Sequence, residues 1–254
     1  MAPTLGLVIP AYQPDIEQLS TYVDALIGGL GPETVRIELD AASEQIVDQL
    51  ADLPAEVSAV PYRRGKGAAI TAGFEALDTD VFAFADADGA TPAPELVRVV
   101  EAVQTGSADL AVGSRRHPES TVATHQTFAR RRLGDTFAWL ARRLLAVDLH
   151  DYQCGAKALT RSAWRQIRGH LYEPGFAWDI ELIAMAGAMG LSVEEVPIEW
   201  HDRPNSTVSP VRDSFRLARA LFGARHRAKQ VSDNPLHTAI AQRRDQPTAL
   251  VEDE

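Results

Sequence analysis

The sequence predicts an α/β fold with a mostly parallel sheet flanked by helices. Short apolar runs alternate with stretches of helical apolar spacing through the first 114 residues, which is the pattern of parallel strands joined by crossover helices. The run Val81–Ala85 is apolar at every position, as expected of a strand that is covered on both faces. With 254 residues and 45% hydrophobic content, the chain is long enough to bury one large core.

The first half of the chain is a Rossmann-like alternation of strands and helices. The predicted strands cover residues 5–9, 35–39, 57–60, 81–85 and 110–112. The predicted helices cover about 16–30, 43–53, 67–77 and 94–104. Residues 10–15 are expected to form a turn in which Asp15 caps the first helix, and Gly28, Gly29 and Gly31 are expected to end that helix.

After Ser114 the composition changes, and arginine-rich segments appear. We expect one domain over residues 1–229, in which a sheet half, 1–114, is followed by a half, 115–229, that completes the site. Strands are predicted at 156–159 and 193–200, and helices from 161, at 178–188 and at 209–229. Residues 230–254 are polar and are expected to be a disordered tail.

Composition argues against several classes of protein. A net charge of −10 and a pI near 5.2 disfavour a general nucleic-acid binder. Cys154 is the only cysteine, which excludes an internal disulfide and a cysteine-based zinc site and favours a reducing cytoplasm. The amino terminus has no signal-peptide pattern and no apolar run is long enough to span a bilayer. We therefore expect a cytoplasmic protein that is soluble or peripheral on the membrane.

Asp86 and Asp88 directly follow the apolar run Val81–Ala85 and are the first candidate site. Ligands of parallel sheets bind beyond the carboxyl ends of the strands. Alternate side chains of an extended chain share a face, so both carboxylates are expected to point the same way. Two adjacent carboxylates repel each other unless a cation lies between them, and Mg²⁺ or Mn²⁺ is the natural candidate. The alternative is that both are turn and helix-capping residues.

Eight short motifs together resemble one enzyme family by their order and spacing. They are residues 8–12 (VIPAY), Asp40, 64–69 (RGKGAA), 86–88 (DAD), 113–115 (GSR), 151–155 (DYQCG), 176–181 (FAWDIE) and 196–200 (VPIEW). The set resembles glycosyltransferase family 2, and within it the dolichyl-phosphate hexosyltransferases. This resemblance implies a GT-A fold, a nucleotide-sugar donor, a divalent cation and inversion at the anomeric carbon. Gln13 and Ala41 stand where the family commonly has Asn and a second Asp.

The resemblance also implies that residues 1–114 form the half that binds a UDP- or GDP-hexose, and that residues 115–229 form the acceptor half. Pro10, Ala11 and Tyr12 are expected to line the nucleoside pocket, and Asp40 is expected to accept a hydrogen bond from the base or the ribose. Lys66 is expected to place a positive charge near the phosphates. Its turn lacks the spacing of a P-loop, and the alternative is a simple turn before a helix.

In the same resemblance, Asp86 and Asp88 are the expected metal ligands. Asp86 is expected to face the ribose and the sugar, and Asp88 the metal itself. The cation would neutralise the charge that develops on the leaving diphosphate, which is the largest electrostatic demand of such a transfer.

The acceptor decides which side chains take part in the chemistry. A polyprenyl phosphate is already largely ionised at neutral pH, so it needs positioning by arginines rather than a strong base. The arginines predicted for this role are Arg115, Arg130, Arg131, Arg132 and Arg203. A hydroxyl acceptor needs a base in the transition state, and Asp179 stands at the position that the family uses for it.

The leading hypothesis is an inverting transferase that moves glucose or mannose to dolichyl or polyprenyl phosphate for glycoprotein or glycolipid assembly. The alternatives are a transferase acting on a hydroxyl acceptor, a non-catalytic nucleotide-sugar binder and, less well supported, a nucleotidyltransferase.

Arginines lie beside apolar faces at 128–145 and 209–229, and this pattern predicts basic amphipathic helices that dock on an anionic membrane. The alternative for these segments is a solvated charged face.

Overall fold

The computed structural model of the chain describes residues 2–122, 128–201, 210–232, 234, 237 and 248–251. For the helical residues 128–133 and 210–215 it describes the backbone alone. The strands are β1 Leu5–Tyr12, β2 Thr34–Asp40, β3 Glu56–Val60, β4 Val81–Ala85, β5 Leu110–Ser114, β6 Thr121–Val122, β7 Ala156–Thr160, β8 Val193–Pro197 and β9 Glu199–Trp200. The helices are α1 Ile16–Leu30, α2 Glu44–Leu50, α3 Lys66–Glu75, α4 Ala93–Gln104, α5 Phe128–Leu144, α6 Arg161–Ile167, α7 Trp178–Ala188 and α8 Pro210–Val231.

Seven strands form the main sheet in the order β3-β2-β1-β4-β7-β5-β8. Neighbouring strands are parallel except at β7, which is antiparallel to both β4 and β5. The prediction of a mostly parallel α/β sheet flanked by helices is therefore confirmed. The chain builds β1, β2 and β3 outward and then returns to place β4 on the other side of β1, so the strand order reverses between β1 and β4.

Helices cover both faces of β4, and its alternation explains why the whole strand is apolar. Val81, Ala83 and Ala85 face the core that includes α1 and α4, whereas Phe82 and Phe84 face the core that includes α3 and α7. All five residues are buried. Removal of a buried aromatic such as Phe84 costs about 3–5 kcal/mol of stability, so β4 rigidly anchors whatever follows it.

Three local predictions differ from the structure. β1 does not end at Ile9 but continues to Tyr12. Its pairing with β4 ends at Val8, so Pro10 lies where β1 pairs with β2 alone, and a proline is tolerated there because it has no N–H to donate to a second neighbour. Gly28 and Gly29 lie inside α1, and Gly31 alone ends it in a left-handed conformation. The predicted strand 193–200 is two strands, because β8 ends at Pro197 and β9 pairs with β6 instead.

The carboxyl-terminal helix α8 runs to Val231 and packs on α5 and α7. The tail prediction falls mostly outside the described residues. Of those described, Ser232 donates a hydrogen bond to the carbonyl of Ala228, and the Leu250 N–H donates to the Leu171 carbonyl at 2.7 Å. Within the described residues, no helix has the length and apolar character needed to cross a bilayer.

Candidate active site

One edge of the sheet collects side chains from four strands. Tyr12 ends β1, Asp40 ends β2, Asp86 follows β4 and Arg115 follows β5. The reversal of strand order between β1 and β4 opens a crevice at this edge, and such crevices are where α/β sheets bind ligands. The fold therefore places four of the predicted site residues along one ligand-binding edge.

Asp86 and Asp88 lie in a turn rather than in an extended strand. β4 ends at Ala85, and Gly89 adopts a φ of 62°. The prediction that strand alternation aligns the two carboxylates is therefore wrong. Asp88 is instead oriented by its own turn, because its Oδ1 accepts a 3.0 Å hydrogen bond from the Ala90 N–H.

Tyr22 shows that the two carboxylates nevertheless share one neighbourhood. Its hydroxyl is buried and donates a 2.7 Å hydrogen bond to the Thr91 carbonyl. Burial raises the pKa of Tyr22 far above its usual value, and the negative charges of Asp86 and Asp88 raise it further. Both carboxylates thus act on the same buried hydroxyl, which keeps its proton throughout the physiological range.

Gly155 provides the space in which the Asp86 side chain lies. The Asp86 N–H donates to the Gly155 carbonyl at 3.0 Å, and a Cβ on Gly155 would overlap the Asp86 carboxylate. The motif 151–155 therefore needs glycine at its last position, because any side chain there would displace Asp86.

Four charged side chains form a chain of alternating sign that runs inward from Asp86. The Lys66 ammonium lies 2.9 Å from Asp86 Oδ1 and 3.0 Å from Asp179 Oδ2. The Lys157 ammonium lies 2.6 Å from Asp179 Oδ1 and donates a second hydrogen bond of 2.6 Å to the Cys154 carbonyl. Lys157 and Asp179 are buried, and the Lys66 side chain is 9% exposed. Each buried charge is thus compensated by its neighbours.

These contacts keep Asp179 in its ionised form. Burial alone raises the pKa of Asp179, but the ammonium groups of Lys157 and Lys66 outweigh burial and hold the net pKa below its usual value. A general base works best when its pKa lies near the working pH, and it needs access to the proton that it removes. Asp179 is buried and has both oxygens engaged by lysines, so its surroundings suit a structural anion better than a base.

Asp40 holds the turn that carries Lys66. Its Oδ1 accepts from Arg64 Nε at 2.8 Å, and its Oδ2 accepts from the Gly65 N–H at 2.7 Å. Gly65 has a φ of 104°, a conformation that glycine adopts without strain. The predicted contact of Asp40 with a base or ribose stays a prediction, since the structure shows the carboxylate bonded to this turn.

A loop at residues 173–175 covers the same turn. The Ala68 N–H donates to the Pro174 carbonyl at 3.1 Å, and a Cβ on Gly65 or Gly67 would overlap backbone atoms of this loop. Glu181 fixes the loop, because its Oε2 accepts the N–H groups of Tyr172 and Glu173, each at 2.8 Å. Gly65 and Gly67 of the motif 64–69 therefore allow the loop to pack closely on the turn.

On the nucleoside side, Tyr12 is 42% exposed and its ring lies under the guanidinium of Arg63, 4.2 Å from the ring centroid. Pro10 and Ala11 are buried in β1. The Tyr12 ring is therefore the accessible part of the motif 8–12, and it offers an aromatic face at the crevice beside a cation.

Arg115 is bound to Asp151 through a two-pronged contact. Its Nε and Nη2 donate to the two carboxylate oxygens at 2.6 and 3.0 Å. Burial opposes charge on both groups, but each holds the other ionised, so the pKa of Asp151 lies well below its usual value and that of Arg115 above it. The guanidinium also lies 5.5 Å from the Trp200 ring centroid. Two of the three Arg115 nitrogens are thus committed to positioning, which limits the contact it offers a phosphate.

The remaining acceptor-side predictions lie outside the described residues. Arg203 falls in the range 202–209, and the side chains of Arg130, Arg131 and Arg132 fall in the part of α5 whose backbone alone is described. Their roles stay predictions.

Sequence reasoning predicted no role for Lys157, and it quoted Gly155 as part of the motif 151–155 without predicting that it makes room for Asp86. Lys157 pairs with Asp179, 22 positions away, and no local pattern marks that pairing. One signal was available, because the chain contains only three lysines, Lys66, Lys157 and Lys229, in a protein that otherwise uses arginine. Two of these three meet at one buried carboxylate.

The donor set at Asp86 and Asp88 fits a hard divalent cation. Both supply carboxylate oxygen, and Gly155 leaves room for the Asp86 carboxylate. The part of the chain that the structure describes contains no cluster of three or more His, Cys, Asp or Glu residues able to hold a metal. Two carboxylates with water and a substrate phosphate in the other positions is a set of ligands that Mg²⁺ commonly accepts, so Asp86 and Asp88 are the residues that would hold the cation.

Comparison with known proteins shows the family of the chain. Residues 39–168 match the family model described as glycosyl transferase family 2. The chain is 33% identical over 190 residues to glycosyltransferase AglD of Haloferax volcanii, a match that covers 72% of this chain and 29% of that protein. It is 32% identical over 169 residues to a dolichyl-phosphate beta-glucosyltransferase of Saccharomyces cerevisiae, covering 62% of this chain and 51% of that protein. The chain thus spans between about a third and a half of these relatives' lengths.

Solved structures share the fold. A glucosyl-3-phosphoglycerate synthase of Mycobacterium tuberculosis, in complex with Mn²⁺, UDP-glucose and phosphoglyceric acid, superposes with a TM-score of 0.62 at 16% identity, covering 92% of this chain and 81% of that one. A mannosyl-3-phosphoglycerate synthase of Rubrobacter xylanophilus superposes with a TM-score of 0.66 at 17% identity, covering 96% of this chain and 77% of that one. At these identities the likeness establishes the GT-A fold and nothing about the ligands of this chain.

Proposed function

Because the chain belongs to glycosyl transferase family 2, we propose that it transfers a hexose from a nucleotide sugar to the phosphate of dolichyl or another polyprenyl phosphate, with inversion at the anomeric carbon. The observation that carries the proposal is the state of Asp179. Its two oxygens are bonded to Lys66 and Lys157, and its pKa is lowered. The attacking oxygen of a phosphate acceptor is already ionised at neutral pH, so transfer to it at this site requires no general base.

On the donor side, Asp86 and Asp88 would hold the Mg²⁺ or Mn²⁺. The bound cation would neutralise the charge that develops on the leaving diphosphate. The Tyr12 ring offers a face to the nucleobase, and the Lys66 ammonium supplies a positive charge beside Asp86. The relatives in yeast and in humans are named dolichyl-phosphate beta-glucosyltransferases, which makes glucose the first sugar to test and UDP-glucose the first donor, with GDP-mannose as comparator.

On the acceptor side, Arg115, Arg131 and Arg203 are proposed to position the phosphate. The fork between Arg115 and Asp151 fixes the direction of that guanidinium, so any contact it makes with the acceptor is preorganised. A hydroxyl acceptor would instead need Asp179 to take up a proton in the transition state. The two lysines that stabilise its anion oppose that step.

The acceptor is a membrane lipid, so we propose that the protein works as a peripheral protein on the cytoplasmic face of the membrane. Exposed aromatic rings, Trp139 on α5 and Phe222 on α8, lie on helices rich in arginine, and the Arg143 guanidinium lies 5.3 Å from the Trp139 ring centroid. Each cation near an anionic surface adds about 1 kcal/mol of attraction. Cosedimentation with anionic vesicles at low salt tests this part. An Arg143→Gln variant should bind less, and Arg98→Gln on α4 should bind normally.

The decisive experiment for the function is transfer of radiolabelled sugar from UDP-glucose or GDP-mannose to dolichyl phosphate, with Mg²⁺ or Mn²⁺. We expect labelled lipid from one donor, loss of labelling in Asp88→Asn, and normal labelling in Asp24→Asn, an exposed carboxylate on α1. Dolichol, which has a hydroxyl in place of the phosphate, is the matched acceptor control. Labelling of dolichol, or no labelling of either lipid by either donor, would contradict the proposal.

A further inference from the structure

The Lys66 ammonium is paired with Asp86, one of the two carboxylates that a divalent cation would bind. Its ammonium lies 2.9 Å from Asp86 Oδ1, and the other oxygen of Asp86 lies against the backbone of Gly155. The Asp86 side chain is 40% exposed, so it remains open to solvent on its outer side. A cation that approaches from the crevice therefore meets a carboxylate whose charge is already compensated from the inside.

Lys66 is also held in place by a second carboxylate. Asp179 Oδ2 lies 3.0 Å from the ammonium, and Asp179 is in turn held by the buried Lys157. The backbone on either side of Lys66 is pinned, because Gly65 donates to Asp40 and the loop 173–175 covers the turn. The ammonium is thus able to give up Asp86 without losing its last counter-charge.

Two cations compete for one carboxylate unless a further anion arrives. Lys66 and a divalent cation, both bound near Asp86, would repel each other, and binding of either disfavours the other. The diphosphate of a nucleotide-sugar donor brings two or more negative charges to the same place. It gives the ammonium a new partner and frees Asp86 for the cation.

We propose that Lys66 is an internal competitor of the divalent cation at Asp86, so that cation binding is weak without a nucleoside diphosphate and strong with it. Lys66 thereby couples the binding of the two ligands, in addition to any contact with the phosphates. This coupling role rests on the proposed use of a nucleotide-sugar donor. The competition for Asp86 involves only the protein and the cation, and it is measurable without any donor.

The test measures the affinity for Mn²⁺, by electron paramagnetic resonance of the free ion, with and without UDP or GDP. Lys66→Met removes the competing charge and keeps the length of the side chain. We expect it to bind Mn²⁺ alone about fivefold or more tightly than the wild type, and to lose most of the gain in Mn²⁺ affinity that the nucleotide produces in the wild type. Lys66→Arg, which keeps the charge, should behave as the wild type in the absence of nucleotide.

Lys229→Met on α8 is the matched control, since Lys229 is the one lysine outside the ion-pair chain. Near-ultraviolet circular dichroism and the melting temperature check that each variant is folded. If Lys66→Met is not folded, Lys66→Gln takes its place in the test. Equal or weaker binding of Mn²⁺ alone in the folded Lys66 variants would overturn the proposal. The two proposals fail separately. If the wild type transfers no sugar in the transferase assay but Lys66→Met binds Mn²⁺ more tightly than the wild type, the proposed function is refuted and the competition for Asp86 stands.

Discussion

Asp179 receives a 2.6 Å hydrogen bond from the fully buried ammonium of Lys157. The other oxygen of the same carboxylate reaches Lys66, so one buried anion serves two buried or nearly buried cations. Taking such charges out of water is costly, and each is tolerated because its neighbours compensate it. The arrangement fixes Lys66 at the edge of the crevice, and it ties the position of Asp86 to residues far from it in sequence.

We expect Lys157→Met to destabilise the protein by about 3–5 kcal/mol, because it leaves Asp179 buried with one counter-charge and the Cys154 carbonyl without the hydrogen bond from the ammonium. Urea unfolding followed by circular dichroism gives this value. Lys229→Met is the control, and at that half-buried position a change within about 0.5 kcal/mol is expected. A loss in Lys157→Met no larger than in the control would mean that the ion pair contributes little to the fold.

The features of the fold and the site that the sequence predicts correctly are those determined by a few consecutive residues. The apolar run Val81–Ala85 ended by Asp86 predicts a central strand leading into a site, and the structure confirms that strand. The cap at Asp15 is confirmed for the same reason, since its Oδ1 accepts from the Gln18 N–H at 3.0 Å. Both predictions need only a few consecutive residues.

What the sequence does not predict depends on contacts between distant segments. Lys157 meets Asp179 because β7 inserts antiparallel between β4 and β5, and strand order is not written in any single strand. The alternation argument for Asp86 and Asp88 fails because the strand stops one residue before them. The covering of Gly65 by the loop 173–175 is also invisible in sequence, where the motif looks like an open turn.

Gly155→Ala is expected to abolish most transferase activity while preserving the fold. The added methyl group would overlap the Asp86 carboxylate, which is the mobile end of a side chain and is able to move aside at little cost in stability. Its displacement takes Asp86 away from Lys66 and from the cation. We expect a loss of about 100-fold in kcat/KM with the melting temperature nearly unchanged.

Gly28→Ala in α1 is the matched variant, because a Cβ there meets nothing within 4 Å. It should leave activity unchanged and stabilise the helix by about 0.5–1 kcal/mol. Equal activities in the two alanine variants would show that the position of Asp86 is unimportant for the transfer.

Ala41→Asn should stabilise the protein by about 0.5 kcal/mol. Ala41 is exposed and has a φ of 50°, a left-handed conformation that costs alanine more than it costs asparagine. The same substitution at Ala25, exposed in the interior of α1, should instead destabilise because asparagine is a poorer helix former. Urea unfolding of both variants gives the two signs, and a loss of stability at Ala41 would contradict the backbone explanation.

Cys154 should be unreactive in the folded protein. The residue is fully buried, and burial raises the pKa of its thiol to about 12. At pH 8 only about one thiol in ten thousand would then be ionised, and the thiolate is the form that attacks a disulfide reagent. We expect labelling by a chromogenic disulfide only after unfolding in urea. An Ala25→Cys variant, exposed on α1, should react once per chain without urea, and rapid reaction of the wild type would contradict a buried thiol.

The pH dependence of the transfer distinguishes a phosphate acceptor from a hydroxyl acceptor. The lowered pKa of Asp179 keeps it ionised at and above pH 5, so its titration cannot limit the rate there. A phosphate monoester loses its second proton near a pKa of about 6, and the dianion is the better nucleophile. As the pH rises through that value, the fraction of dianion increases, and kcat/KM should rise with it and then level off.

Replacing the acceptor phosphate by a phosphonate, whose second pKa is higher, tests the origin of this rise. If the acceptor carries the titrating group, the rise should move to higher pH with the phosphonate, in the wild type and in Asp179→Asn alike. If Asp179 were the base, the rise would stay at the same pH for both acceptors, and Asp179→Asn would remove it together with about 100-fold or more of the rate. The buried contacts of Asp179 with Lys66 and Lys157 favour the first outcome.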